Sequence, residues 1–416
     1  MNFNFDKALT FVTISILFIF TILGKGFANI NIAGLPLFQL ILLFLSLIVI
    51  FLKSGFFSKI FSSHFWFFLQ IFILFNIGIL FYSFSEDRLL IRIIQDAEVI
   101  YDIFFVFLAV YVSSKLNLNE HKKIFTYLFI SIFFYYFLII LVGKNTMQFL
   151  SPKIGGVYSS VPAFGFLPSH TILACGAIFF WNNLSSTKKS LDLFLGSILS
   201  IAALISQKRF ILIQAIIFLI FYFKSLNLNT LKKMSIYSII LLISFSIFSI
   251  FNINMSKGSE ASFANVYKTL ESTFVENEYS GGVSFRKNIL TDFRDMIDTP
   301  KEIFLGVGFG IPLTERIGAD GKTNRTPHIF ILTVIGRIGL FGLTFIVSFL
   351  LYFLYLGIKL YLHDNDAESK RIRYFLIVSL IIYFVEAQIN PTLEYAHTAF
   401  FRYYTLGCLI GMNFKN

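Results

Sequence analysis

Apolar runs long enough to cross a lipid bilayer follow one another along nearly the whole chain, and one hydrophilic stretch, Asn254 to Pro327, interrupts them. A span needs about 20 apolar residues for a hydrocarbon core ~30 Å thick, and a lipid-facing backbone must satisfy its hydrogen bonds within its own helix. This pattern therefore calls for a bundle of membrane-crossing helices with a larger polar segment outside the bilayer. Composition excludes the soluble alternative. A chain that is 56% hydrophobic and 14% charged, with 56 Phe against 23 acidic residues, has too few polar groups to clothe a water-facing surface.

The runs predict an all-α polytopic membrane protein of about twelve spans, near 8–24, 35–52, 65–82, 98–114, 124–142, 168–183, 191–206, 209–223, 235–253, 328–358, 374–389 and 398–413. Lys7 followed by Ala8–Leu23 reads as a retained anchor rather than a cleaved signal. Alternate loops carry the cations: Lys53 and Lys59; Lys115, Lys122 and Lys123; Lys188 and Lys189; Lys224, Lys232 and Lys233; Lys359, Lys370, Arg371 and Arg373. Cations favour the cytoplasmic side, so the N-terminus is expected inside and the long segment, before the tenth span, outside. Dividing the run after His328 in two would place Lys370, Arg371 and Arg373 outside. One long element with a short or re-entrant first part is expected instead. Residues 1–416 read as a single integral membrane domain with 254–327 as its extramembrane segment.

The net charge of +11 does not mark a nucleic-acid binder, because the 254–327 segment holds nine Lys/Arg and ten Asp/Glu and is near neutral. The surplus lies in short loops, where it orients the protein. Cys175 and Cys408 both sit in apolar runs, which argues against a disulfide or a metal site.

Three constellations carry the chemistry. Around Ser206-Gln207-Lys208-Arg209, the flanking apolar stretches Leu193–Ile205 and Phe210–Phe223 reach only about 20 Å each at ~1.5 Å per residue. The turn with Lys208 and Arg209 should then sit below the outer surface. There it is either a pair of cations snorkelling to headgroups or an anion site. The second is Gly281–Pro300, where Phe285, Ile289, Phe293 and Met296 form one apolar stripe and Pro300 stops the helix. An amphipathic helix lying along the outer bilayer surface is expected, with Arg286, Lys287 and Arg294 beside it. It is either a simple interfacial anchor or, because a guanidinium fork suits phosphate oxygens, a site for a lipid-linked phosphate. The third is Asn324-Arg325-Thr326-Pro327-His328, with Thr326 as N-cap and Pro327 in the first helical position. The helix dipole disfavours imidazolium there, so His328 is either an inert interfacial residue or a neutral general base beside an anion-binding helix start.

Other signals read as structure. Gly336, Gly339 and Gly342 mark a close-packing helix face, and Arg337 in the same apolar run must face protein or water. Glu386, Glu394 and Arg402, near the ends of the last two spans, are expected as partners or alternative bases. Gly306-Val307-Gly308-Phe309-Gly310 lacks the strand–helix context of a nucleotide loop and reads as a flexible outside turn. Asp364-Asn365-Asp366 mimics a metal-binding Asp-x-Asp motif but lies in a charged loop. The loop Gly143–Pro168 reads either as a sugar path or as an ordinary connection.

The stretches Ile205–Leu212 (ISQKRFIL), Ser284–Gly310 and Pro327–Leu343, in this order, resemble the O-antigen ligase and O-antigen polymerase superfamily of bacterial envelope glycan assembly. Where that family usually has Asn after the His, this chain has Ile329. The resemblance implies a GT-C-like membrane glycosyltransferase in the inner membrane, with its active site at the periplasmic face and no metal or other cofactor. It implies that Arg209 and Arg286 hold the diphosphate of an undecaprenyl-diphosphate-linked oligosaccharide and that His328 assists catalysis; Lys208, Arg294 and Arg325 are expected to bind the substrate beside them. The function expected is a polysaccharide polymerase that joins lipid-linked repeat units, with membrane lipid and a chain-length regulator protein as partners. The alternatives are a ligase delivering the glycan to lipid A-core, or a lipid-linked oligosaccharide flippase.

Overall fold

The computed structural model describes residues 5–24, 27, 30–32, 35–142, 153–154, 161–162, 170–182, 189–206, 291–314, 327, 329–387 and 396–412. These are almost entirely helical. The only ladders among them are two two-residue antiparallel pairs, β1 (Asn31–Ile32) with β2 (Leu35–Pro36), and β3 (Lys153–Ile154) with β4 (Val161–Pro162). The helices are α1 (Phe5–Leu23), α2 (Leu37–Leu52), α3 (Ser54–Ile60), α4 (Ser63–Ser85), α5 (Leu90–Tyr101), α6 (Phe105–Ser114), α7 (Leu118–Val142), α8 (His170–Asn182), α9 (Lys189–Ser206), α10 (Pro300–Leu305), α11 (Phe330–His363), α12 (Ala367–Ala387) and α13 (Ala396–Gly411). Four of them, α1, α4, α7 and α11, are long and apolar enough to cross a membrane, and α2 with α3, bent by 81°, forms either a broken fifth span or a re-entrant loop. The chain is therefore a helical membrane protein. The expected runs 209–223 and 235–253 lie outside the described residues.

The chain divides into two compact units. The first comprises residues 1–30, 115–280 and 361–383. Its core is aromatic: the Phe179 ring lies 5.9 Å from Phe125, 5.6 Å from Phe129 and 5.2 Å from Phe375. Ion pairs Lys115–Asp6, at 3.4 Å, and Lys122–Glu368 rim it. The Asp364-Asn365-Asp366 carboxylates serve as a helix cap here. Asp366 accepts the Ser369 amide at 2.9 Å at the start of α12, and Asp364 accepts Arg373 Nε at 2.9 Å and the Ser369 hydroxyl. Partial burial of Asp364 raises its carboxyl pKa, yet its bonds to Ser369 and Arg373 win and hold it below the usual carboxylate value. Both acids are thus engaged in the fold, and no group of three metal-ligating side chains occurs among the described residues.

The second unit comprises 31–114, 281–360 and 384–416. Phe57, Phe61, Phe65, Phe107, Phe349 and Phe353 are buried together, with Phe107 at 5.6 Å from Phe57 and Phe349 at 4.7 Å from Phe353. Helices α6 and α13 pack most closely, because Gly407 and Gly411 leave room for Ala109 and Val110. Chain reversal before α10 follows from Thr299-Pro300-Lys301-Glu302. The Thr299 hydroxyl accepts the Glu302 amide while the Glu302 carboxylate accepts the Thr299 amide, a capping box with Pro at the first helical position. The Pro that stops the preceding helix also starts this one.

Hydrogen bonds from Thr299 hold the exposed Glu302 carboxyl below its ordinary pKa. A depressed carboxylate contributes stability above its unfolded pKa and loses it as pH falls through the folded value. Acidification should therefore raise amide exchange in residues 300–305, and Thr299→Ala, at about 1 kcal/mol, should produce the same opening at neutral pH.

Helix α11 is not continuous. Gly339 interrupts it at φ 68° and ψ −176°, a region that is essentially glycine-only. The break frees the carbonyls of Gly336 and Arg337, which accept the amides of Val307 (2.8 Å) and Gly308 (3.2 Å). A Cβ at Gly339 would also meet the Phe304 carbonyl oxygen at 2.1 Å. Gly339→Ala should cost upwards of about 1–3 kcal/mol from backbone strain alone, read as a lowered unfolding midpoint. The expected short first part of the long element is thus residues 330–338.

Candidate functional site

The turn Gly306–Gly310 is largely buried and pinned in the second unit, and is not the flexible turn its composition indicates. Arg88 Nη1 donates to the carbonyls of Val307 and Phe309, each at 2.8 Å, and the Phe309 amide donates to Ser83 Oγ at 2.9 Å. The Gly310 amide donates to Asp96 Oδ2 at 2.8 Å. Asp96 also pairs with Arg337 at 3.1 Å, and Arg337 Nη1 donates to the carbonyls of Ile311 and Gly308. Arg337 is 1% exposed, so it faces protein as its position in an apolar run requires. Both guanidiniums spend donors on backbone carbonyls of this turn and act as its scaffold.

The described end of the second constellation packs against the first turns of α11 in the same unit. Residues 291–296 are helical, and Phe293 and Ile297 are buried in one cluster with Val307 and Leu313. Leu332 and Ile335, on the first turns of α11, pack against the same cluster. Gly336 makes the approach possible, since a Cβ there would meet Leu313 at 2.7 Å and Phe293 at 3.1 Å. In its described part the apolar stripe of Gly281–Pro300 is therefore covered by protein, and Arg294 lies on the exposed side. Pro327, two residues before Ile329, is buried. Of the expected catalytic and substrate-binding residues, Arg294 is among the described ones. Lys208, Arg209, Arg286, Arg325 and His328 lie outside the described residues, as do Glu394 and the loop 143–150.

Beside the start of α11 stands a polar group that sequence reasoning assembled only in part. Arg402 is 4% exposed, with its guanidinium carbon 6.0 Å from the Phe330 ring centre and 4.3 Å from that of Tyr403. It acts electrostatically on Asp102, which is 2% exposed and accepts Gln39 Nε2 at 2.7 Å. Glu98 lies one turn before Asp102 and within its field. The sequence carried a usable signal here, two acids at i and i+4 where an apolar run begins. Glu386 is also buried in this unit.

A scan against protein-family models and a search of curated proteins return no match to this chain.

Proposed function

We propose that this protein is a metal-independent membrane glycosyltransferase, a polysaccharide polymerase of about twelve spans and GT-C-like architecture. It moves an undecaprenyl-diphosphate-linked oligosaccharide onto a sugar hydroxyl at the periplasmic face of the inner membrane. One observation supports the reading above the others. Phe293 and Ile297 share a cluster with Leu332 and Ile335, so the segment that follows Arg286 is laid along the first turns of the helix that follows His328. The reading assigns anion binding to a residue that precedes the first of these stretches and proton acceptance to one that precedes the second.

In the proposed reaction the acceptor hydroxyl oxygen attacks the anomeric carbon of the donor sugar. The bond from that carbon to the diphosphate oxygen breaks, and its electron pair leaves with undecaprenyl diphosphate. Arg209 and Arg286 stabilise the growing negative charge, Lys208, Arg294 and Arg325 add to the field around it, and His328 takes the hydroxyl proton. Membrane lipid and a chain-length regulator complete the setting.

Deletion of the gene in its source cell tests the assignment. Surface glycan reduced to a single repeat on its carrier is the expected result. Complete loss of transfer to lipid A-core would reassign the protein as a ligase, and an unchanged glycan would overturn the reading.

A further inference from the structure

Glu98 and Asp102 are four residues apart, on α5 and on the short 3-10 turn Asp102–Phe104 that continues it, so their carboxyls leave one face. Asp102 Oδ1 is satisfied by Gln39, but Asp102 Oδ2 is buried with no hydrogen-bond partner among the described residues, and Glu98 Oε1 is buried in the same condition. The two groups lie in each other's field, and Asp96 acts on Glu98 as well. The cations facing this group among the described residues are Arg337, paired with Asp96, and Arg402, which acts on Asp102. Tyr403, on α13, lies within the field of Asp102 as well.

Three carboxyls thus face two guanidiniums in a desolvated setting. Each orphaned oxygen is an acceptor with no donor among the described residues. Ionised carboxylates left so are costly, whereas a protonated carboxyl gains an O–H donor and loses its charge at one stroke. A metal ion answers the same need less well, because no group of three ligating side chains occurs among the described residues. We propose that Glu98 and Asp102 form a proton-binding site, one exchangeable proton being shared by the pair. The site is independent of the transferase reading and stands whether or not that reading does.

Infrared difference spectra of the full-length protein in lipid bilayers, recorded across a pH titration, test it. The wild type should show the carbonyl band of a protonated carboxylic acid persisting above neutral pH and shifting in heavy water. Glu98→Gln and Asp102→Asn should each insert and fold, since an amide N–H replaces the proton's hydrogen bond, and each should abolish the band. Absence of the band in the wild type above neutral pH, or its survival in either folded variant, overturns the proposal. If one variant fails to fold, the other alone decides.

Discussion

Arg337→Ala should destabilise the second unit by about 3–5 kcal/mol, the cost of leaving a buried charge without its partner. Arg337 and Asp96 are 1% and 5% exposed and 3.1 Å apart, so water cannot take over the role of either. The loss goes beyond the ion pair. Arg337 also holds the Ile311 and Gly308 carbonyls, and Asp96 holds the Gly310 amide. Removing either residue therefore releases the turn that covers the break in α11. Asp96→Ala should be comparably damaging. The double variant should cost clearly less than the sum, because the residues share one interaction network. Unfolding in mixed detergent, followed by the helical circular dichroism signal, measures all three. Single variants within about 0.5 kcal/mol of wild type would show that the pair is not a structural anchor.

In reconstituted protein, His328→Ala should lower glycosyl transfer by roughly 10²–10⁴-fold, the span associated with loss of a positioned general base. Arg209→Ala and Arg286→Ala should each lower it by roughly 10²–10³-fold, as expected for one lost donor at a developing negative charge. All three should insert as wild type does, since each exchanges a polar side chain for a small apolar one. Arg294→Ala, on the exposed side of its helix, should have a smaller effect on turnover. The contrast among these four variants separates chemistry from folding. A transporter that folds would keep its function in His328→Ala, and full turnover in Arg286→Ala would reject its role at the diphosphate.

Much of the fold was legible because membrane helices announce themselves locally. A run of apolar residues carries its own hydrogen bonds, so α1, α4, α7 and α11 follow from length and hydropathy alone. Arg337 was legible for the same reason: a guanidinium in such a run must find protein or water. The Thr299-Pro300-Lys301-Glu302 cap is equally local. What escaped is non-local. Gly306–Gly310 has the composition of an exposed turn, and nothing within it foretells that Arg88 and Asp96, over 200 residues earlier, will satisfy its backbone. The stripe of Phe293 and Met296 is as compatible with a bilayer surface as with a protein neighbour. Only Leu332 and Ile335 decide between them. Likewise the spacing of Glu98 and Asp102 is visible in one dimension, whereas their burial beside Gln39 and Arg402 depends on two distant helices.

The most direct measurement is the stoichiometry of the reaction in proteoliposomes holding the purified full-length protein and a labelled undecaprenyl-diphosphate-linked repeat unit. One undecaprenyl diphosphate released for each new glycosidic bond is the predicted result. Labelled glycan that crosses the bilayer with its lipid diphosphate linkage intact, or no bond formation at all, would contradict it.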